Sequence, residues 1–255
     1  MVQSNKDTEI LERGNIYFCY TPKVKQESVE KLKDVQQFDF VLAPHSKQSY
    51  RMIVIGKKRL PEIEGSNNKH WCYVETVTDN AQEIERGLRK DTYQTRTMGE
   101  RFQPAARPVG EGIYEIVRHG GNTNLVYVLE LPEELGEAQK DLGIKEEASY
   151  IITIKNPEAS SPEGMGLTAE DKVNLPEYLQ SRFQKRRFVP AEPTEFLDYP
   201  GVELILIGAS ANISEELGIE LDPASETEDT AEILNDLRMR KSRHPIEPLF
   251  TGEWR

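Results

Sequence analysis

Arg96, Arg101 and Arg107 fall within twelve residues, in a stretch that also holds Thr95, Thr97, Gly99, Gly110 and Gly112. Guanidinium groups fork onto phosphates and carboxylates, and glycines let a backbone approach a bound group closely. Tyr93 and Phe102 add rings that can stack on a ligand. Segment 93–112 is therefore the first candidate for an anion-binding site. The competing reading is a surface loop pinned by Arg–Glu pairs, with Glu100, Glu111 and Glu115 as partners. His119, ahead of Gly120-Gly121-Asn122, is a candidate ligand contact or acid–base group if its turn lies beside that loop. As a plain turn residue it needs no chemistry.

Other patterns are weaker. Gly208-Ala-Ser210-Ala-Asn212 approaches the G-x-S-x-G nucleophile elbow, and an acid followed by His244 comes in hydrolase order. The strand–helix alternation of that fold is missing, however. Gly164-Met-Gly-Leu-Thr-Ala169 fits G-x-G-x-x-A, but Pro157 and Pro162 separate it from the preceding strand, whereas a dinucleotide fingerprint starts directly after one. Arg182, Lys185, Arg186 and Arg187, interleaved with Phe183 and Phe188, could contact RNA or complement a helix C-terminus. The four histidines have no ligand-type spacing, and Cys19 and Cys72 form no C-x-x-C pair, so no metal and no cofactor is expected.

The elements that must position these residues are mostly strands. Aromatic or β-branched runs predict strands over 15–20, 37–43, 50–56, 70–78, 113–117, 125–131, 149–155 and 202–207. Helices are expected after Asp79 as cap, from Pro132 to a stop at Gly143, around Leu175–Phe183, and after a Ser225/Glu228 capping box. Residues 89–112 show no periodicity and read as a long loop. Non-alternating strands and helices predict an α+β fold: a mostly antiparallel sheet or partly closed barrel with about four flanking helices. The expected organisation is a flexible start over 1–12, a β-rich lobe over 13–158 and a second lobe over 159–255, or one continuous domain. The tail from His244 reads as extended and docked by its aromatic groups.

Charge narrows the function. The chain carries a formal net charge of −12, unevenly spread. Residues 1–118 hold 19 Lys and Arg against 17 Asp and Glu, and the remaining 137 hold 13 against 27. That field disfavours general nucleic-acid binding. No apolar run approaches the roughly 20 residues that cross a bilayer, and the acid-bearing start does not read as a signal peptide. Two cysteines within apolar strands suit a reducing compartment, so a cytoplasmic protein is expected.

Arg13-Gly-Asn-Ile-Tyr-Phe18, Gly99-Glu-Arg101, Pro104-Ala-Ala-Arg-Pro108, Tyr127-Val-Leu-Glu-Leu-Pro132, Ala148-Ser-Tyr-Ile-Ile152 and the closing Gly252-Glu-Trp-Arg255 together resemble an uncharacterised bacterial protein family. That resemblance implies a bacterial cytoplasmic protein and carries no functional residues. The strand at 14–20 is also similar to the small PUA/EVE-type barrels, which implies binding of modified nucleotides or RNA by the front half.

The expectation is thus a non-catalytic binding protein with a small anionic ligand or a protein as partner, held through Arg96, Arg101, Arg107, Tyr93 and His119. One alternative is an RNA or modified-nucleotide binder. The other is an enzyme acting on a phosphorylated or carboxylated small molecule held by these arginines, with His119 as acid or base.

Overall fold

The computed structural model describes residues 8–63, 68–95, 99–161, 166–168, 173–224, 226–227 and 230–255. Nine strands make one antiparallel sheet: β1 (Glu9–Pro22), β2 (Val35–Pro44), β3 (Tyr50–Ile55), β4 (Lys69–Thr78), β7 (Arg107–His119), β8 (Asn122–Leu131), β9 (Glu147–Lys155), β10 (Phe188–Pro190) and β11 (Glu203–Ser210). The hydrogen-bonded order is β10-β9-β11-β4-β3-β2-β1-β7-β8, and β8 pairs back onto β9. Eight strands therefore close into a barrel, with β10 extending β9. Closure is complete rather than partial. It pairs every barrel strand on both sides and leaves only the three-residue β10 with an open edge among the described strands of this sheet. β11, which follows the expected lobe boundary at 156–166, lies between β9 and β4 in this same barrel.

Even-numbered residues of β1 and β2, such as Phe18, Tyr20, Phe38 and Phe40, point into the barrel and pack with Tyr127 and Tyr150. Odd-numbered ones, such as Tyr17, Cys19 and Val41, point outward and are covered as well. Strands buried on both faces read as continuous apolar runs, which is why the sequence showed runs and not alternation. An eight-stranded barrel is just wide enough for side chains to fill it. Gly112 permits the close approach of β7 and β8, where a Cβ would stand 2.1 Å from the Val128 carbonyl oxygen.

The outer cover comes from α1 (Ala81–Leu88), α5 (Glu232–Asp236) and α6 (Glu247–Thr251), joined elsewhere by α2 (Glu137–Leu142), α3 (Glu177–Gln180) and α4 (Ile213–Leu217). These are six short helices among the described residues, where about four were expected. α1 is capped by Asn80, whose side chain accepts from Gln82, and not by Asp79. α2 stops at Gly143 in the left-handed conformation, as read from the sequence. The start is more ordered than expected, since residues 9–12 belong to β1. Ser225 and Glu228 lie outside the described residues.

The stretch expected as a loop is largely strand. β5 (Asp91–Thr95) and β6 (Gly99–Gln103) form a separate hairpin, and 107–112 begin β7. Pairing with β1 overrides the weak strand propensity of a segment with one proline and two glycines.

One end of the barrel is polar inside. Arg51, fully buried, donates to Glu12 at 2.5 Å and to Asp198 at 2.7 Å, and the Tyr114 hydroxyl donates to Glu12 at 2.8 Å. Asp198 sits on the 3-10 turn 194–198, so this pair fastens that turn to the barrel.

Asp39 faces outward from β2 opposite Cys19 and is fully buried. Its Oδ1 accepts from Gln37 at 3.2 Å, while Oδ2 has no partner among the described residues. Burial, then the Glu75 charge, push its carboxyl up to about 8. Because the folded value exceeds the unfolded one of about 3.9, folding is unpenalised below about pH 4 and loses stability as pH rises towards about 8. Asp39→Asn should leave stability nearly unchanged at pH 4 and raise it by a few kcal/mol at pH 8. Denaturant unfolding at the two pH values checks this, and a pH-independent difference contradicts it.

Candidate functional site

Arg107 opens β7 at the barrel end opposite the Arg51 cluster. There the chain from 23 to 34 joins β1 to β2, and the C-terminal tail returns across the rim. The Val29 N–H donates to the Arg255 oxygen at 3.0 Å, and the Arg255 N–H donates to the Tyr20 hydroxyl at 3.3 Å. The Trp254 ring stands edge-on to Tyr20 with centroids 5.1 Å apart, and its Nε1 donates to Asp141 at 3.3 Å. Further back, Gln139 of α2 donates to the carbonyls of Val109 and Pro248 at 2.8 and 3.1 Å. The tail docks by its aromatic group, as its sequence suggested, but it is not extended throughout, since residues 247–251 form α6.

Between tail and rim lies a cleft of about 550 Å³. Glu27, Ser28, Lys90, Pro104, Ala105 and Arg107 form one wall, and Arg243, Pro245, Trp254 and Arg255 the other. Four side-chain cations thus face one side-chain carboxylate in the lining, with Glu247 behind Arg255 at 3.9 Å and Glu85 behind Arg243 at 3.5 Å. Lys90 pairs with Glu27 at 3.2 Å where both are exposed, a contact worth little in water.

Arg107 is the unusual member. It is 3% exposed, and its Nη2 donates to the Glu27 carbonyl oxygen. Nε and Nη1 have no hydrogen-bond partner among the described residues. The guanidinium lies over the Tyr20 ring, 5.8 Å from the centroid. Burial lowers its pKa and Arg255 repulsion adds to the effect, against Tyr20, the largest opposing influence, and then Glu247 and Glu27. Burial in turn pushes the Tyr20 hydroxyl up to about 12, so it stays neutral and supplies no counter-charge. Nor do the carboxylates expected to pin the loop. Glu100 accepts from Gln94 at 3.3 Å, Glu115 pairs with Arg13 at 3.1 Å, and Glu111 accepts the N–H groups of Glu232 and Ile233 at 2.7 and 3.0 Å.

The other expected site residues go elsewhere. Arg101 lies on β6, in register with Tyr93, half-buried and outside the cleft lining. Arg96 and the Tyr93 side chain lie outside the described residues. His119 ends the strand that Arg107 begins. Twelve residues at ~3.3 Å each put them about 40 Å apart along the barrel, so they share no pocket. His119 meets the Thr8 hydroxyl at 2.8 Å.

The remaining patterns also resolve. The Ser210 hydroxyl donates to the Asn212 carbonyl oxygen at 3.0 Å, and the Asn212 side chain caps α4. Asp236 accepts from Tyr17 at 2.6 Å, and His244 faces Ala106 and Glu85, so no hydrolase triad assembles from these residues. Arg186 donates to the Phe183 and Arg182 carbonyls, satisfying a helix end. Gly164 lies outside the described residues. No group of three or more metal-ligating residues gathers among the described residues, and no helix among them is long and apolar enough to cross a membrane.

Sequence reading missed Lys90, Arg243, Trp254 and Arg255. No local signal links them to Arg107, because the fold alone brings the tail to the rim. No family model matches this chain, and no curated protein or solved structure matches it.

The two buried arginines predict unequal responses to the same change. Arg51→Met leaves Glu12 and Asp198 without their partner and should cost about 3–5 kcal/mol. Arg107→Met removes a cation whose burial the protein hardly offsets, at the loss of one hydrogen bond, and should change stability by no more than about 1 kcal/mol. Urea unfolding of both variants checks this. Equal destabilisation would make Arg107 a structural cation.

Proposed function

We propose that this protein binds a small organic anion, a phosphate or carboxylate carried on an apolar body, in the cleft over Arg107. The observation that carries the reading is the buried guanidinium with two unpartnered nitrogens. A cation withdrawn from water without a counter-charge projects its field into the adjoining space, and an anion placed there restores what burial removed. Lys90, Arg243 and Arg255 add to the same field.

The cleft volume favours an organic ligand over a bare ion. About 550 Å³ lies in the range of small-molecule sites. Pro104, Ala105, Pro245 and Trp254 give the body of such a ligand apolar surface to cover. The reading is one of binding without chemistry, because the described lining holds one carboxylate, exposed and paired with Lys90, and neither histidine nor cysteine. A concentrated local positive field in a chain of net charge −12 also favours a small anion over a long polyanion, which the rest of the surface would repel.

Benzenesulfonate and sulfate are suitable probes, since both keep a fixed charge near neutral pH. Benzenesulfonate at about five times its Kd should raise Tm by about 2–4 °C, and sulfate at equal concentration by less. In a Trp71→Phe background, the remaining Trp254 emission should change with the same midpoint. Arg107→Met should abolish both responses. A protein whose Tm and emission ignore both probes, or a variant that responds as the native chain does, contradicts the reading.

A further inference from the structure

His244 is fully buried beside the cleft, next to Arg243 in the chain, and both of its ring nitrogens meet acceptors. Nδ1 lies 3.0 Å from the Ala106 carbonyl oxygen and Nε2 lies 3.5 Å from Oε1 of Glu85. A carbonyl can only accept, so Nδ1 carries a proton. Glu85 is itself buried and has no proton to offer. The Arg89 Nε stands 2.7 and 2.6 Å from its two oxygens, and the Arg243 Nη1 stands 3.5 Å from Oε1. Burial alone would raise the Glu85 carboxyl, but the hydrogen bonds from Arg89 and His244 outweigh it and hold the group below its usual range. A neutral imidazole in this position would aim its lone pair at a carboxylate. The doubly protonated ring donates to both neighbours.

The charged groups facing the ring are Glu85 and Arg89 from α1 and Arg243 from the tail. Ala106 supplies the main-chain acceptor immediately before Arg107. One carboxylate is therefore shared by two arginines and His244, so protonation of His244 raises the net charge of the cluster from +1 to +2. Through Arg243 and Arg107 it borders the cleft directly.

Resting on the anion-binding reading above, we infer that His244 is a proton-linked latch for this site: its charged form ties the tail to Glu85 of α1 and adds to the field that holds the anion, so ligand binding and proton binding favour each other. Linkage makes the effect reciprocal. Affinity falls as rising pH removes the imidazole proton, and bound anion draws that proton on more tightly. Loss of the Nε2 proton removes the donor to Glu85 and so loosens Arg243 and its neighbours from α1, while the Nδ1 bond to Ala106 stays. His244 lies outside the cleft lining, so it is a positioning residue and not a ligand contact.

The test is the Kd of benzenesulfonate between about pH 5.5 and about pH 8, the range in which imidazoles change charge. The native chain should bind roughly fivefold or more weakly at the upper end, following one ionisation. His244→Asn keeps a donor for the Ala106 carbonyl and removes the titrating ring, so it should bind with an affinity that ignores pH. Its Tm in the absence of probe shows that it is folded, and His244→Gln serves if it is not. In the native chain, the imidazole NMR titration of His244 should also move to higher pH when the probe is bound. A flat profile in the native chain, or a step that persists in the variant, overturns the latch and leaves the anion site standing. Absence of binding at every pH overturns the anion site itself.

Discussion

A guanidinium taken out of water without a carboxylate to meet it dominates the rim of this barrel. Arg107 is there because β7 must begin there: its backbone pairs with Tyr20 at the last regular step of β1. The tail then crosses the rim, sets Trp254 edge-on against Tyr20 and closes over the side chain. Burial follows from strand pairing and aromatic packing, and the electrostatic imbalance follows from burial. Nearby acids are committed to other tasks. Glu111 holds the start of α5, and burial pushes its carboxyl up to about 7 despite those two N–H donors.

The molecule shows how differently it treats a buried cation when the purpose is cohesion. Arg51 receives two carboxylates and joins a distant turn to the barrel wall. Lys155 receives Glu203 at 2.8 Å, and Glu203 in turn accepts from the Trp71 indole at 2.9 Å. Arg107 alone among these is given a carbonyl and an aromatic face. The contrast gives the functional reading its weight, because buried charges in folded proteins are otherwise paired.

Much of the barrel was legible in the chain. Eight strands were readable because barrel strands covered on both sides concentrate aromatic and β-branched residues, as in Ile16-Tyr-Phe-Cys-Tyr20. The segment 89–112 was not, for two physical reasons. Asp91–Thr95 and Gly99–Gln103 pair only with each other and keep a polar composition. Residues 107–112 become strand through long-range pairing that no local propensity reports. Closure of the barrel was equally hidden, since β8–β9 pairing depends on register and not on residue type. Of the candidate site, Arg107 was visible as an arginine among glycines. Its companions were not, because Arg243 and Arg255 reach it only through the path of the tail. Glu85 and Arg89 stood at helical spacing in the sequence, but nothing there pointed to His244 as their third partner.

The central claim is that an anion belongs where Arg107 is left uncompensated. The most direct measurement is a crystal of the native chain soaked in 4-bromobenzenesulfonate, with bromine located by anomalous scattering. The account predicts sulfonate density between Arg107 and the tail cations, with the bromine peak on the side of Trp254 and Pro245. Bromine peaks confined to other surfaces, with the cleft holding only solvent, would contradict it.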